Sequence, residues 1–180
     1  GYSDVIVMRH PLAGSVAEFA EASRVPVING GDGDNEHPSQ ALLDLFTIKK
    51  ELESHNKEID TARIALIGDL KFGRAAHSLC KILMLYTNIS IKLVSPDKLK
   101  LPDFLISEFE KKNISILETQ DIKEGIADVD IIYMTRIQEE RFDNVSEANK
   151  YKGLMSLNQE IYTKNCEPNT VIMHPLPRDC

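Results

Sequence analysis

The sequence has few cysteines and no long apolar run. Its three cysteines, Cys80, Cys166 and Cys180, are scattered and odd in number, without the spacing of metal ligands or of a disulfide framework. This usage is typical of a reducing compartment, and we therefore expect a cytoplasmic protein. No apolar stretch approaches the ~20 residues of a membrane-spanning helix, so no membrane association is predicted.

The sequence also lacks any block of basic residues. Its 180 residues carry a formal net charge of −7, which disfavours nucleic acid and anionic membranes as partners. With 42% hydrophobic and 27% charged residues, the chain has the composition of a globular protein with one core or slightly more. An anionic ligand must then be held by a few well-placed arginines, not by a general positive field.

Several common site motifs are missing. The stretch from Gly68 to Gly73 does not have G-x-G-x-x-G spacing, and no Gly-Lys-Ser/Thr is present. Ser95 and Pro96 stand where a dinucleotide fold would carry its ribose-binding acid, so a nucleotide-binding module is a weak alternative. No Ser or Cys has a base beside it, and no His, Asp or Glu set has metal-ligand spacing.

The most informative stretch runs from Gly30 to Gln40, with the sequence GGDGDNEHPSQ. Three glycines in four positions predict a loop, because glycine weakens both helix and strand interiors. Pro38 then predicts the start of a helix, since its fixed φ suits the first helical position. The apolar spacing predicts the buried face of this helix: Ala41, Leu45, Ile48 and Leu52.

His37 falls at the N-cap of this helix, a position that normally selects Ser, Thr, Asp or Asn. The free N–H groups of a first helical turn favour anions and polarised carbonyl oxygens, so His37 is a candidate site residue. The alternative is an ordinary surface histidine. In that case Gln40, at the N3 position, would reach back to the cap N–H as half of a capping box.

Strands and helices alternate along most of the chain. Strands are expected at 4–9, 25–29, 63–68, 89–94, 114–117, 130–134 and 171–173, and helices at 14–23, 74–86, 102–112 and 122–127. Residues 53–61 read as a polar linker, and residues 147–164 are mixed in character. The alternation predicts an α/β fold with a mainly parallel sheet flanked by helices.

Ligands of such sheets bind outside the carboxyl ends of the strands, and arginines recur there. They are Arg9, Arg74, Arg136 and Arg178. The guanidinium fork matches carboxylate or phosphate geometry. Arg74 falls in the first turn of a predicted helix, where a cation opposes the helix dipole. An anionic ligand explains it better than a surface location does.

Arg136 and Gln138 are two residues apart in a segment predicted to be extended, so their side chains should point the same way. Together they could hold one carboxylate. The alternative is a solvated cluster in which Arg136 and Arg141 pair with Glu139 and Glu140.

The segment His174-Pro175-Leu176-Pro177 has an unusual hydrogen-bonding capacity. Its two prolines remove N–H donors and leave bare carbonyl groups, as a site for an NH₂ or NH₃⁺ group requires. It is also a candidate location for a cis X–Pro bond.

Taken together, these motifs resemble the aspartate carbamoyltransferase family. Ornithine carbamoyltransferases have His-Pro-Cys-Gln and His-Cys-Leu-Pro where this chain has His-Pro-Ser-Gln and His-Pro-Leu-Pro. The aspartate enzymes are therefore the closer match. The matching segments are VMRHP from Val7, NGGDG from Asn29, HPSQALLD from His37, GDLKFGR from Gly68, YMTRIQ from Tyr133 and HPLPR from His174.

The resemblance implies a Rossmann-like fold and a transferase of de novo pyrimidine biosynthesis. Such an enzyme moves the carbamoyl group of carbamoyl phosphate to the amine of L-aspartate, giving N-carbamoyl-L-aspartate and phosphate. The family uses no metal, organic cofactor or covalent intermediate. Its members are homotrimers with active sites shared between subunits, and we expect the same here.

The resemblance also assigns residues to the first substrate. Arg9 and His37 would polarise the carbonyl group of carbamoyl phosphate, and Arg9 would also contact the phosphate. Gln40 and the backbone carbonyls of Leu176 and Pro177 would hold the carbamoyl NH₂ group. The catalytic residues by this assignment are Arg9, His37 and Gln40.

Three further residues are assigned to L-aspartate. Arg74 would bind its α-carboxylate, and Arg136 together with Gln138 its β-carboxylate. The alternatives are an ornithine-type carbamoyltransferase and a non-catalytic homologue. The presence of all five of Arg9, His37, Gln40, Arg74 and Arg136 argues against the second.

The chain of the family is much longer than this sequence. We expect residues 1–38 to be the C-terminal part of a carbamoyl-phosphate domain, and residues 39–180 an aspartate-binding domain incomplete at its C-terminus. The family's Ser-Thr-Arg-Thr phosphate loop and mobile Ser/Lys loop are not in this sequence. The resemblance thus indicates a fragment, and we expect it to be inactive by itself.

Overall fold

The structure is a computed structural model that describes residues 2–178, with the backbone only of Val145. Gly1, Asp179 and Cys180 lie outside the described residues, so the observation on Cys180 has no structural counterpart. Cys80 and Cys166 carry free thiols. Across residues 2–178, no helix is both long enough and apolar enough to cross a membrane.

The described chain contains seven strands and seven helices, which alternate except that two helices in succession precede the last strand. The pattern predicted all seven strands and five of the helices, and the other two lie in or beside the segment 147–164 that it left as mixed. The strands are β1 (Ile6–His10), β2 (Val27–Asp32), β3 (Arg63–Ile67), β4 (Ser90–Val94), β5 (Ser115–Thr119), β6 (Ile131–Met134) and β7 (Val171–Met173). The helices are α1 (Ser15–Ala22), α2 (Pro38–Ser54), α3 (Arg74–Leu83), α4 (Asp103–Lys111), α5 (Ile122–Ile126), α6 (Val145–Ala148) and α7 (Gln159–Asn165).

The strands form two parallel sheets. Strands β1 and β2 pair with each other, and the other five have the order β5-β4-β3-β6-β7. The chain therefore runs outward from β3 through β4 to β5, then returns to the other side of β3. The point between β3 and β6 is a topological switch point, where the connecting loops diverge and leave a crevice for ligands.

Apolar side chains cover both faces of the larger sheet. Along β3, Ile64 and Leu66 face the core cluster that α2, α3 and α4 complete, while Ala65 and Ile67 face the cluster that includes α5 and α7. All four side chains are fully buried. Burial on both faces explains why the strands read as continuous apolar runs and not as alternating ones.

The loop expected at the glycine-rich stretch was partly wrong, because Gly30 and Gly31 are the fourth and fifth residues of β2. The register of β1 and β2 shifts between Met8 and His10, and Gly31 takes a φ of +119° at this irregularity. Strand pairing continues through the glycines because they permit that distortion.

Helix α2 begins at Pro38, as predicted. Ala41, Ile48 and Leu52 are buried along it, and Leu45 packs against the same core. The polar linker was partly wrong, because α2 continues to Ser54 and a 3₁₀ turn follows at Ile59–Thr61. Ile59 anchors that turn by packing into the main core.

Gly68 directly follows β3 at the switch point and has a φ of +118°. A Cβ atom there would lie 2.3 Å from the Thr135 carbonyl oxygen, which belongs to the loop after β6. Gly153 also has a positive φ, +74°, but a Cβ atom on it would meet no atom within 4 Å.

We expect Gly68→Ala to lower the free energy of unfolding by about 2–5 kcal/mol, because backbone strain adds to the overlap with Thr135. The matched variant Gly153→Ala introduces strain alone and should cost only about 1–2 kcal/mol. Urea denaturation of both variants measures the difference. Equal losses would show that the close approach of the two loops does not constrain Gly68.

Candidate active site

One cavity of about 470 Å³ lies at the carboxyl ends of the strands and is lined by residues that follow or end strands of both sheets. All eight residues that the sequence singled out for substrates line it. They are Arg9, His37, Gln40, Arg74, Arg136, Gln138, Leu176 and Pro177. Arg178 is exposed and borders a neighbouring, less polar depression. The rule that ligands bind at strand carboxyl ends therefore located the cavity.

His37 is the N-cap residue of α2, but its side chain makes no capping hydrogen bond. Its backbone N–H donates to Ser78 Oγ on α3 at 2.9 Å. The Ser78 hydroxyl donates in turn to the Glu36 carboxylate, which Lys81 also contacts. These contacts from α3 fix the backbone just before α2, and with it the position of His37 at the cavity wall.

The His37 side chain is half-buried and lies in a positive field. Its pKa is lowered, first because burial disfavours the charged ring and then because Arg74 and Arg9 repel it. The ring is therefore neutral at physiological pH. It can donate one hydrogen bond to a developing negative charge without being an acid itself.

The capping-box interpretation of Gln40 was wrong. Gln40 Nε2 donates to Asp44 Oδ1 one turn later, at 2.9 Å, and does not reach the cap N–H. Asp44 is buried and also accepts a hydrogen bond from the Tyr133 hydroxyl on β6, at 2.6 Å. The cap N–H that a capping box would use donates to Ser78 Oγ instead, so Gln40 is not needed to satisfy it.

Arg74 is the first residue of α3, and its guanidinium donates to the Gly33 carbonyl oxygen. Its pKa is lowered by burial and by repulsion from Arg9 and Arg141, while Asp32 and Asp34 act in the opposite direction. Like charges brought this close repel one another, so an anionic ligand between them would be stabilising. The electrostatics favour the ligand interpretation of Arg74 over a surface location.

For Arg136, the alternative based on ion pairs is partly confirmed. Arg136 binds the Glu140 carboxylate with both terminal nitrogens, at 3.1 and 2.6 Å. Arg141 lies 3.9 Å from Asp34, and Glu139 is not its partner. Both Arg136 and Gln138 nevertheless line the cavity, so Glu140 fixes one edge of a guanidinium that borders the cavity.

Asp69 joins the loop after β3 to the loop after β6. Its carboxylate is fully buried and accepts backbone hydrogen bonds from Phe72 and Gln138, each at 3.0 Å. Burial raises the pKa of this carboxyl group, although the backbone hydrogen bonds act to lower it. The arginines of the two loops are therefore held in one arrangement.

The loop after β7 contributes carbonyl groups to the cavity. The peptide bond between Leu176 and Pro177 is cis, which confirms the expectation for this segment. The Leu176 N–H is already bound to Nδ1 of His174, at 2.8 Å. Since neither proline has an N–H, this wall of the cavity offers acceptors.

Sequence reasoning missed the residues that hold these side chains in place. They are Glu36, Asp44, Asp69, Ser78 and Tyr133. One signal was available for Asp44, which lies three residues after Ala41 and four before Ile48, on the buried face of α2. The other contacts join residues far apart in the sequence and leave no periodic pattern.

The described part of the chain, residues 2–178, has no group of three or more His, Cys, Asp or Glu side chains arranged to hold a metal ion. The cavity residues instead supply arginine forks, one neutral imidazole and several carbonyl oxygens. This donor set suits an anionic organic ligand that also carries an NH₂ group.

The fold and the cavity define a doubly wound α/β protein with an arginine-lined crevice at its switch point. The family model described as "Aspartate/ornithine carbamoyltransferase, carbamoyl-P binding domain" matches residues 1–50. The companion model, "Asp/Orn binding domain", matches residues 60–180, more than half of the chain. The chain belongs to the aspartate/ornithine carbamoyltransferase family.

Curated relatives agree with this assignment. The chain is 63% identical over 179 residues to the aspartate carbamoyltransferase catalytic subunit of Cellvibrio japonicus and 59% identical over 179 residues to that of Saccharophagus degradans. In both comparisons 99% of the chain aligns with 53% of the relative. The chain thus spans about half the length of the curated relatives it matches.

Solved structures show the same fold. The catalytic subunit of M. jannaschii aspartate transcarbamoylase superposes with a TM-score of 0.85 at 44% identity, covering 99% of this chain and 56% of that one. Trypanosoma cruzi aspartate transcarbamoylase in complex with carbamoyl phosphate and aspartate gives a TM-score of 0.85 at 37% identity, over 99% and 57%. The predicted boundary between residues 38 and 39 stays a prediction.

We expect His37 to titrate below ~6.5, the ordinary value for histidine. The Arg74→Gln variant should raise the pKa of His37, because it removes one of the two repelling charges. NMR titration of the ring protons measures both values. Removing the exposed Arg24, which does not line the cavity, should leave the pKa unchanged. A His37 pKa well above ~6.5 would contradict the neutral ring.

Proposed function

We propose that the whole protein transfers the carbamoyl group of carbamoyl phosphate to the amine of L-aspartate, giving N-carbamoyl-L-aspartate and phosphate. The observation that carries this proposal is the composition of one cavity. It combines four arginines, Arg9, Arg74, Arg136 and Arg141, with the neutral His37 and the carbonyl groups of the loop after β7. The T. cruzi relative has been crystallised with both of these substrates.

In the proposed mechanism, positioning and electrostatics do most of the work. The amine of aspartate attacks the carbonyl carbon, negative charge develops on the carbonyl oxygen, and the C–O bond to phosphate breaks. The proton that the attacking nitrogen loses passes to the departing phosphate. Arg9 and His37 stabilise that oxygen, with Arg9 also contacting the phosphate. Gln40 and the carbonyls of Leu176 and Pro177 accept hydrogen bonds from the NH₂ group.

Aspartate is bound through its two carboxylates. Arg74, at the start of α3, takes the α-carboxylate, and Arg136 with Gln138 takes the β-carboxylate. Glu140 restrains Arg136 through one edge of its guanidinium. The fork has five N–H donors, so a ligand carboxylate can use another edge or displace Glu140. No metal or organic cofactor enters this mechanism.

The assembly and biological setting belong to the same proposal. We propose a cytoplasmic homotrimer with active sites shared between subunits, acting in de novo pyrimidine biosynthesis. The family membership of the chain supports this. Light scattering on the whole protein measures its oligomeric state, and a mass other than that of a trimer would contradict that part.

The decisive test is a product assay with a panel of acceptor amines. With carbamoyl phosphate as donor, we expect the whole protein to form N-carbamoyl-L-aspartate and to leave L-ornithine unreacted. Arg74 and Arg136 are proposed to bind two carboxylates, and ornithine has only one. Chromatography with mass detection identifies the product. Carbamoylation of ornithine would instead support the ornithine-type alternative, and the absence of any product would support a non-catalytic homologue.

A second prediction concerns Arg136. Arg136→Ala should lower kcat/KM for aspartate by at least ~10²-fold, because a carboxylate then loses its charge-assisted partner. The KM for carbamoyl phosphate should barely change. Steady-state kinetics on the whole protein separates the two substrates, with Arg24→Ala as the control. If both substrates suffered equally, Arg136 would be structural.

A further inference from the structure

A buried carboxylate lies directly behind the cavity, at a position where the helical pattern calls for an apolar residue. Asp44 is on the inner face of α2 and is 5% exposed. Burial raises the pKa of this carboxyl group, against the hydrogen bonds of Tyr133 and Gln40, which lower it. Burying an acid in such a place is unfavourable unless hydrogen bonds compensate for the loss of water.

The hydrogen-bond partners of Asp44 within residues 2–178 are two neutral groups. The Tyr133 hydroxyl donates to Oδ2 at 2.6 Å, and Gln40 Nε2 donates to Oδ1 at 2.9 Å. Tyr133 is fully buried in β6, the strand next to β3 at the switch point. The rigid sheet therefore fixes the carboxylate, and the carboxylate fixes the side-chain amide of Gln40.

Asp130 is another buried acid beside the larger sheet, and it differs from Asp44 in its partners. It is also 5% exposed, but it pairs with two cations, Lys57 at 2.5 Å and Arg63 at 3.1 Å. It further accepts the Arg63 backbone N–H at 2.8 Å. Asp130 therefore joins elements of the fold, whereas Asp44 joins a core tyrosine to a residue that lines the cavity.

We propose that Asp44 and Tyr133 are positioning residues that set the hydrogen-bonding polarity of Gln40. An ionised carboxylate accepts hydrogen bonds and donates none, so it binds the NH₂ end of the Gln40 amide. The acceptor Oε1 is then the end left for the cavity. There it joins the acceptor carbonyls of Leu176 and Pro177. This inference rests on the proposed function and extends it to selection of the donor.

With these acceptors in the cavity, the site should prefer a donor whose transferred group carries an NH₂. Three acceptors on residues that line the same cavity favour a carbamoyl NH₂ and disfavour a methyl group, which would leave them unpaired. Acetyl phosphate carries a methyl group where carbamoyl phosphate carries NH₂. The ratio of kcat/KM for these two donors therefore reports the polarity of Gln40.

The first test is the Asp44→Asn variant of the whole protein, assayed with both donors. If the Tyr133 hydroxyl donates to the new amide oxygen, the amide NH₂ faces Gln40. Gln40 then turns its oxygen toward residue 44 and presents a donor to the cavity. We expect kcat/KM for carbamoyl phosphate to fall about 10²-fold and that for acetyl phosphate to change by less than about 5-fold.

Tyr133→Phe provides a second variant that keeps the buried ring and removes only the hydroxyl. It should narrow the preference for carbamoyl phosphate in the same direction, by about 3–10-fold, because Asp44 keeps its bond to Gln40 but loses its anchor. The matched control, Asp130→Asn, removes an equally buried acid away from the cavity. It should lower the thermal midpoint and leave the donor preference unchanged.

A double-mutant cycle of Gln40→Ala with Asp44→Asn completes the design. If Asp44 acts through Gln40, its substitution should have little further effect on donor preference once Gln40 is gone. Additive effects, or equal losses with both donors, would overturn the inference while leaving the proposed function intact. A wild-type protein that forms no carbamoyl-aspartate would overturn both.

Discussion

The candidate site depends on one buried carboxylate, that of Asp69, because it holds together the two loops that carry the arginines. The loop after β3 leads to Arg74, and the loop after β6 carries Arg136. Asp69 accepts a backbone N–H from each loop. Leaving a buried acceptor unpaired costs about 1–3 kcal/mol or more, so separation of the loops is unfavourable. The spacing of the arginines is thus a property of the folded backbone.

The positive charges of the cavity arginines repel one another. Arg9, Arg74 and Arg141 repel one another, and the pKa of Arg74 falls because of its burial and this repulsion. The chain as a whole is acidic, with a net charge of −7, and yet four arginines line this one cavity. Binding of an anion among these arginines would relieve their repulsion and would therefore be favourable.

The sequence was informative about the fold and about which residues line the cavity, for one physical reason. Parallel strands bring their carboxyl ends to one edge, so residues at or after the end of each strand, such as Arg9, Arg74 and Arg136, could be grouped without knowing the strand order. The order β5-β4-β3-β6-β7 itself could not be read, because apolar strands buried on both faces are interchangeable in pattern.

The supporting contacts could not be predicted from the sequence. The bond between Ser78 and the His37 backbone spans 41 residues, and that between Tyr133 and Asp44 spans 89. Such pairs follow no helical or strand period. The glycines of β2 were misjudged because a strand accepts glycine at an irregularity in its pairing, here where Gly31 has a φ of +119°.

The positive field has a further consequence for the proposed chemistry. Attack on a carbonyl carbon requires a neutral amine, whereas the amino group of free aspartate is mostly protonated at neutral pH. The charges of Arg9 and Arg74 that help to keep His37 neutral would act on a neighbouring ammonium group in the same direction. Arg74 would therefore bind one carboxylate of aspartate and, together with Arg9, favour the deprotonated amine, so that binding and activation of aspartate share an electrostatic cause.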